Sequence, residues 1–141
     1  MKRFVRIICL VLVLSMTIAV PAYALEQSQR ASDFFSSFKA YCYTSSSGQL
    51  AVYFKVIATD TMDELGASII KVQQSSDGTN WTTVRTFTKD VYTQMKNTNT
   101  VMHATTLYCS KTSGYYYRAY VEFYAKNSTG TGAYGYYTAR I

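Results

Sequence analysis

Leu50-Ala51-Val52-Tyr53-Phe54-Lys55-Val56-Ile57-Ala58 puts Leu50, Val52, Phe54, Val56 and Ala58 on one side of an extended chain, with Tyr53, Lys55 and then Thr59 on the other. Strict period-two alternation of this length marks a strand with one buried face. Upstream, Phe38, Ala40, Cys42 and Thr44 alternate with Lys39, Tyr41 and Tyr43 until Ser45-Ser46-Ser47-Gly48 ends the run. Downstream, Asp60 to Gly66 reads as a break, one helical turn closed by Gly66. Ser68 to Gln74 resumes as a strand with Ile70 and Val72 inward. Ser75-Ser76-Asp77-Gly78-Thr79-Asn80 is a hairpin turn, because Asp-Gly supplies the positive φ that tight turns need. Trp81 to Thr88 is its partner strand, Thr100 to Cys109 pairs elsewhere in the sheet, Tyr115 to Ala125 is the longest alternating run, and Gly132 to Ile141 is the last strand. This spacing of short strands predicts an all-β domain over 38–141, a two-sheet antiparallel β-sandwich of six or seven strands.

The amino end reads differently. Met1-Lys2-Arg3-Phe4-Val5-Arg6 is basic, Ile7 to Val20 is apolar apart from Ser15 and Thr17, and Ala22-Tyr23-Ala24 places small residues where a signal peptidase reads them. Residues 1–24 are therefore expected to be a signal peptide cleaved between Ala24 and Leu25, followed by a polar leader over 25–37. The apolar run is about 14 residues, against roughly 20 for a membrane span, so no stable membrane anchor is expected after cleavage. A secreted protein follows.

Composition narrows the function. Of 141 residues, 16% are aromatic and 16% charged, which excludes collagen-like, coiled-coil and disordered chains. The net charge of +6 is half signal: without Lys2, Arg3 and Arg6, eleven basic residues face eight acidic ones. No Lys/Arg cluster remains to neutralise a run of phosphates, so nucleic acid is not an expected partner. Two cysteines follow residue 24, Cys42 and Cys109. In an exported chain they are a disulfide candidate. Closing the intervening loop of about 66 residues would stabilise the fold by about 4 kcal/mol in the chain-entropy model.

Ile70-Lys71-Val72-Gln73-Gln74-Ser75-Ser76-Asp77-Gly78-Thr79-Asn80-Trp81 resembles the third and fourth strands of a fibronectin type III module. Tyr117-Arg118-Ala119-Tyr120-Val121 through Ala125-Lys126-Asn127-Ser128-Thr129-Gly130 resembles its penultimate strand and following loop. The chain departs from that family in having no Trp on the second strand and none of its usual prolines. Arg30-Ala31-Ser32-Asp33, Thr61-Met62-Asp63-Glu64-Leu65-Gly66-Ala67 and Tyr116-Tyr117-Arg118-Ala119-Tyr120 are similar to a family of small exported bacterial proteins with no assigned function. That similarity implies a compartment and not an activity.

Reactive chemistry is sparse. His103 is the sole imidazole, lies in Val101-Met102-His103-Ala104-Thr105, and has no acid nearby in sequence to orient it as a base. One His and two Cys are too few for a zinc site. Asp60, Asp63 and Glu64 fall close together but lack the alternating oxygen ligands of a calcium loop. Ser75 to Trp81 is one residue short of the Asp-box of sialidases, itself a structural turn. No catalytic residue, metal or cofactor is expected, and the chain reads as a non-enzyme.

Tyrosine is the anomaly. Nine of fourteen lie between Tyr108 and Tyr137. In the Tyr115–Ala125 run, Tyr117, Ala119, Val121 and Phe123 share the core face, and Tyr116, Arg118, Tyr120, Glu122 and Tyr124 the other. Continuing the core face through Tyr137, Ala139 and Ile141 turns Tyr134 and Tyr136 outward. The expected result is an outward strip of Tyr116, Tyr120, Tyr124, Tyr134 and Tyr136 with charges interleaved. Such rings offer a flat apolar face with a polar tip, suited to a surface glycan, the cell wall or a protein partner. A secreted binding module is the leading expectation, and a structural or self-associating extracellular protein the alternative.

Overall fold

The computed structural model describes residues 33–141. The proposed signal peptide, its Ala24/Leu25 cleavage point and most of the polar leader lie outside the described residues. Six strands follow in chain order: β1 (Phe35–Thr44), β2 (Leu50–Ser75), β3 (Thr82–Thr88), β4 (Lys96–Cys109), β5 (Tyr116–Asn127) and β6 (Gly130–Tyr137), with a short 3-10 turn at Thr93–Met95 before β4. All pair antiparallel in one six-stranded sheet. β1 starts ahead of the alternating run at Phe38, because Phe34 and Phe35 are already packed in the core.

β2 organises the molecule. Its first half pairs with β1 on one edge and β4 on the other. Its second half pairs with β5 on one edge, and with β4 and then β3 on the other. The expected break over 60–66 is thus absent: the chain stays extended through it, and no helical turn forms. What changes there is register. Buried side chains fall on even positions at Leu50, Val52, Phe54 and Val56, on odd ones at Leu65 and Ala67, and on even ones again at Ile70 and Val72. The ladder shifts between Ile57 and Met62, and again between Ala67 and Ile69. Each shift hides the period-two pattern locally, and residues 59–61, between the part paired with β1 and the part paired with β5, have no register partner on either edge although the chain stays extended.

The strand must also bend. Phe54 stacks edge-on against Phe123 with ring centroids 6.2 Å apart, yet Phe123 pairs with Ala67, thirteen residues further along β2. A straight strand would separate those positions by roughly 40 Å. Bending brings the inner faces of the two halves together. Phe38 of β1 lies 4.9 Å from Phe123 and 4.7 Å from Tyr134, although β1 pairs with neither β5 nor β6. One continuous core results, running from Phe34 and Phe35 through Phe54, Ile70 and Phe87 to Tyr117 and Phe123.

Gly66 lets the backbone at Met95 and Lys96 approach β2 closely. A Cβ there would meet the Met95 carbonyl oxygen at 2.0 Å and the Lys96 Cα at 2.7 Å. At the other end, Tyr117 anchors the loop before β5. Its buried hydroxyl accepts from Thr112 N–H at 2.9 Å and donates to Gln74 Oε1 at 3.2 Å. The expected hairpin forms as drawn, with Gly78 at φ 74 and β3 paired to β2. Asp77 Oδ1 accepts from Thr79 N–H, Asn80 N–H and the Ser75 hydroxyl, each at 2.8 Å. Those donors, the Asn80 amide first, hold the Asp77 carboxyl far below the usual carboxylate range.

The expected Cys42–Cys109 bridge does not form, and both cysteines are free thiols. Cys42 sits opposite Val52 and Cys109 opposite Leu50, so β2 stands between them. Two inter-strand spacings amount to about 9.6 Å, beyond the roughly 7 Å a disulfide can span between Cα atoms. Burial pushes both thiols up, and the Cys42 thiol lies 3.4 Å from its partner Thr138 Oγ1.

Candidate functional site: the outward face of β5

Between the buried residues of β5, the side chains of Tyr116, Arg118, Tyr120, Glu122 and Tyr124 point away from the core, as alternation requires. Tyr116 is exposed, and the Arg140 guanidinium lies 5.2 Å over its ring. Lys89 lies 4.5 Å over Tyr124. Arg118 is clamped between two rings, 4.3 Å from Trp81 and 4.7 Å from Tyr137, while its Nε–H donates to Gln73 Oε1 at 2.8 Å. Tyr120 packs on Tyr137 with centroids 5.0 Å apart. Partial burial, then Glu122 and Tyr137, pushes the Tyr120 phenol up.

Two members of the expected strip are not on this face. Tyr134 pairs with Phe123 and Tyr136 with Val121, both core residues, so both lie on the core side beside Phe38, Tyr136 partly buried and Tyr134 still 41% exposed on the edge strand. Tyr137, expected in the core, is instead 52% exposed beside Tyr120. The cause is one extra residue after β6. Tyr120 pairs with Tyr137, but the backbone of Tyr117 exchanges both hydrogen bonds with Ile141, one position beyond simple register. Thr138 absorbs the slip: its N–H donates to the Ala119 carbonyl and its Oγ1 accepts from Ala119 N–H at 3.0 Å. Counting back from Ile141 therefore inverts every face in β6.

The outward face thus holds Tyr116, Tyr120, Tyr124 and Tyr137, joined by Trp81 and Arg118. Trp81 escaped sequence reading because it lies just before β3, where alternation does not apply. Beside the rings runs an open trough of about 650 Å³, lined by Tyr120, Tyr137, Lys71, Gln73, Thr83 and Glu122 among others. Glu122 also accepts from the Ser68 hydroxyl.

The groups with possible reactive roles are dispersed. His103 Nε2 lies 2.9 Å from the Gln94 carbonyl oxygen, with its ring edge-on to Phe54. Asp60 and Asp63 are exposed. Asp63 and Glu64 are successive strand residues and so point to opposite sides. Glu64 is taken by Lys96 at 2.8 Å and Lys89 at 3.7 Å, and the Lys96 hydrogen bond pulls its carboxyl down. Among the described residues no group of three His, Cys, Asp or Glu could hold a metal ion, and no helix is long and apolar enough to cross a membrane. No protein-family model matches the chain, and neither a curated protein nor a solved structure matches it.

Proposed function

We propose that this chain is an exported, non-enzymatic binding module that recognises a glycan of the cell surface or wall through the outward face of β5 and β6. The observation that carries the reading is the row Trp81–Arg118–Tyr137–Tyr120, in which one guanidinium fixes two rings and the second ring supports a third. Rings held in this way lose little freedom when a ligand settles on them. A sugar presents an apolar face that fits against Tyr120 and Tyr137, and hydroxyls that Lys71 and Glu122 can meet along the trough. Among a glycan, the wall and a protein partner, a trough lined by polar groups beside a fixed ring row favours a sugar ligand.

The scaffold we propose for this face is a two-sheet sandwich of the fibronectin type III or immunoglobulin kind. The neighbours β1, first half of β2 and β4 match the A-B-E order of that architecture, and second half of β2, β5 and β6 match C-F-G. Tyr117 near the start of the penultimate strand, bonded back to Thr112, supports the same reading as a tyrosine corner.

Co-sedimentation with purified cell walls and insoluble polysaccharides tests the function. The Tyr120→Ala, Tyr137→Ala variant should fold as judged by circular dichroism and lose affinity roughly 30-fold, about 2 kcal/mol for a central aromatic pair. Undiminished binding by that folded variant rejects the site.

A further inference from the structure

A second aromatic face lies on β1, the first half of β2 and β4. Its outward positions fall in rows: Tyr43–Ala51–Tyr108, then Tyr41–Tyr53–Thr106, then Lys39–Lys55–Ala104. The Tyr41 ring is 4.9 Å from Tyr53 and 5.9 Å from Tyr43. Tyr43 and Tyr108 flank Ala51, which is fully covered although its side chain points outward. Tyr41, at 45%, and Tyr108, at 50%, remain open to solvent.

The charge on this face has one sign. Lys39 and Lys55 stand directly opposite each other, an arrangement that repels. Among the described residues neither makes an ion pair, and Lys39 is instead 5.7 Å over the Tyr53 ring. Lys111 joins at the rim, donating to Thr44 Oγ1 at 2.6 Å. No Asp or Glu occurs in 37–44, 50–57 or 102–109. By contrast, the β5 face carries Glu122 beside its cations.

We infer that the β1–β2–β4 face is a second binding site, and that its partner is an anionic polysaccharide. Adjacent rows lie roughly 6.6 Å apart along the strands, so one acidic sugar can rest its ring on Tyr41 and Tyr53 while its carboxylate reaches Lys39 or Lys55. The partner's charge relieves the lysine repulsion that the fold itself leaves uncompensated. Three cations are too few to drive binding by charge alone, and the tyrosine row supplies the remainder.

Affinity electrophoresis of the purified protein in polygalacturonate tests this, with neutral dextran and oligodeoxythymidylate as parallel gels. Polygalacturonate should retard the protein and dextran should not, and a fourfold rise in salt should weaken binding about 20-fold, as three cation contacts at 0.7 per contact predict. Lys39→Gln, Lys55→Gln, Lys111→Gln removes one exposed and two half-buried charges and should abolish retardation in a protein that circular dichroism shows to be folded. Tyr41→Ser, Tyr53→Ser should weaken it about tenfold, a stacking loss near 1.4 kcal/mol. Absence of retardation in polygalacturonate overturns the inference, as does retention of binding by the lysine variant. So does loss in the lysine but not the tyrosine variant, which makes charge alone the determinant, or tighter binding to oligodeoxythymidylate, which makes a single-stranded nucleic acid the better ligand.

Discussion

Gly66→Ala is the sharpest perturbation of the contact between β2 and the start of β4. The added methyl would lie 2.0 Å from the Met95 carbonyl oxygen, 2.7 Å from Lys96 Cα and 2.9 Å from the Met95 carbonyl carbon. All three are backbone atoms, so no rotamer change relieves the contact. Reaching an ordinary separation of roughly 3.5 Å means moving β4 outward by more than 1 Å. That displacement spoils the pairing of Gly66 with Lys96 and Leu65 with Asn97, and pulls Lys96 from Glu64. Overpacking costs about 1–3 kcal/mol where side chains can yield, so about 3 kcal/mol is expected here. At roughly 4–8 °C per kcal/mol, Tm should fall by at least about 12 °C. Urea and thermal unfolding followed by circular dichroism measure this. Gly48→Ala is the reference: it has nothing within 4 Å but sits at φ 79, and should cost only the left-handed conformation, about 1–2 kcal/mol. The reasoning fails if Gly66→Ala unfolds within about 0.5 kcal/mol of wild type, or is no worse than Gly48→Ala.

Three further expectations follow from named contacts. Tyr117→Phe keeps the buried ring but leaves Thr112 N–H without its acceptor, and should cost about 1–2 kcal/mol in urea unfolding. The Asp77 carboxyl is depressed in the folded state by the Asn80 and Thr79 amides, so its contribution is present above the unfolded value of about 3.9 and disappears as pH falls through the lower folded value. An acid titration of stability should therefore lose part of its steepness below about pH 4 in Asp77→Asn. Because β2 separates the two thiols, Cys42 and Cys109 should both alkylate with iodoacetamide in denaturant without reductant. A tryptic peptide pair linked through these cysteines contradicts that placement.

Much of the fold was legible wherever alternation ran unbroken. The faces of β1, of Leu50–Ala58 and of β5 lie as their apolar residues dictate, and Asp77-Gly78 places the hairpin between β2 and β3. Legibility failed where a single residue altered the register. At Asp60–Gly66 a polar, glycine-ended stretch looked like a helical turn, yet the chain stays extended into Glu64–Gly66, which pair with β4 on one edge and β5 on the other. At Thr138 one extra residue put Tyr137 in place of Tyr134 and Tyr136 on the face of Tyr120, although Tyr134 stays exposed on the other side. The disulfide expectation rested on compartment and parity of count, neither of which reports that a strand intervenes. The face on β1, β2 and β4 was implicit in the alternation of Tyr41, Tyr43, Tyr53 and Lys55, but only strand pairing adds Tyr108 to it and sets Lys55 opposite Lys39.

Trp81 is the sole tryptophan of the chain and forms one side of the Arg118 clamp, so its emission reports directly on the proposed site. Titrating the purified protein with soluble cell-wall polysaccharide fragments while following that emission is the most direct test of glycan recognition by the β5–β6 face. The account predicts a saturable change that disappears in Tyr120→Ala, Tyr137→Ala. Binding detected by co-sedimentation with Trp81 emission unchanged would contradict it, because the ligand would then lie elsewhere on the molecule.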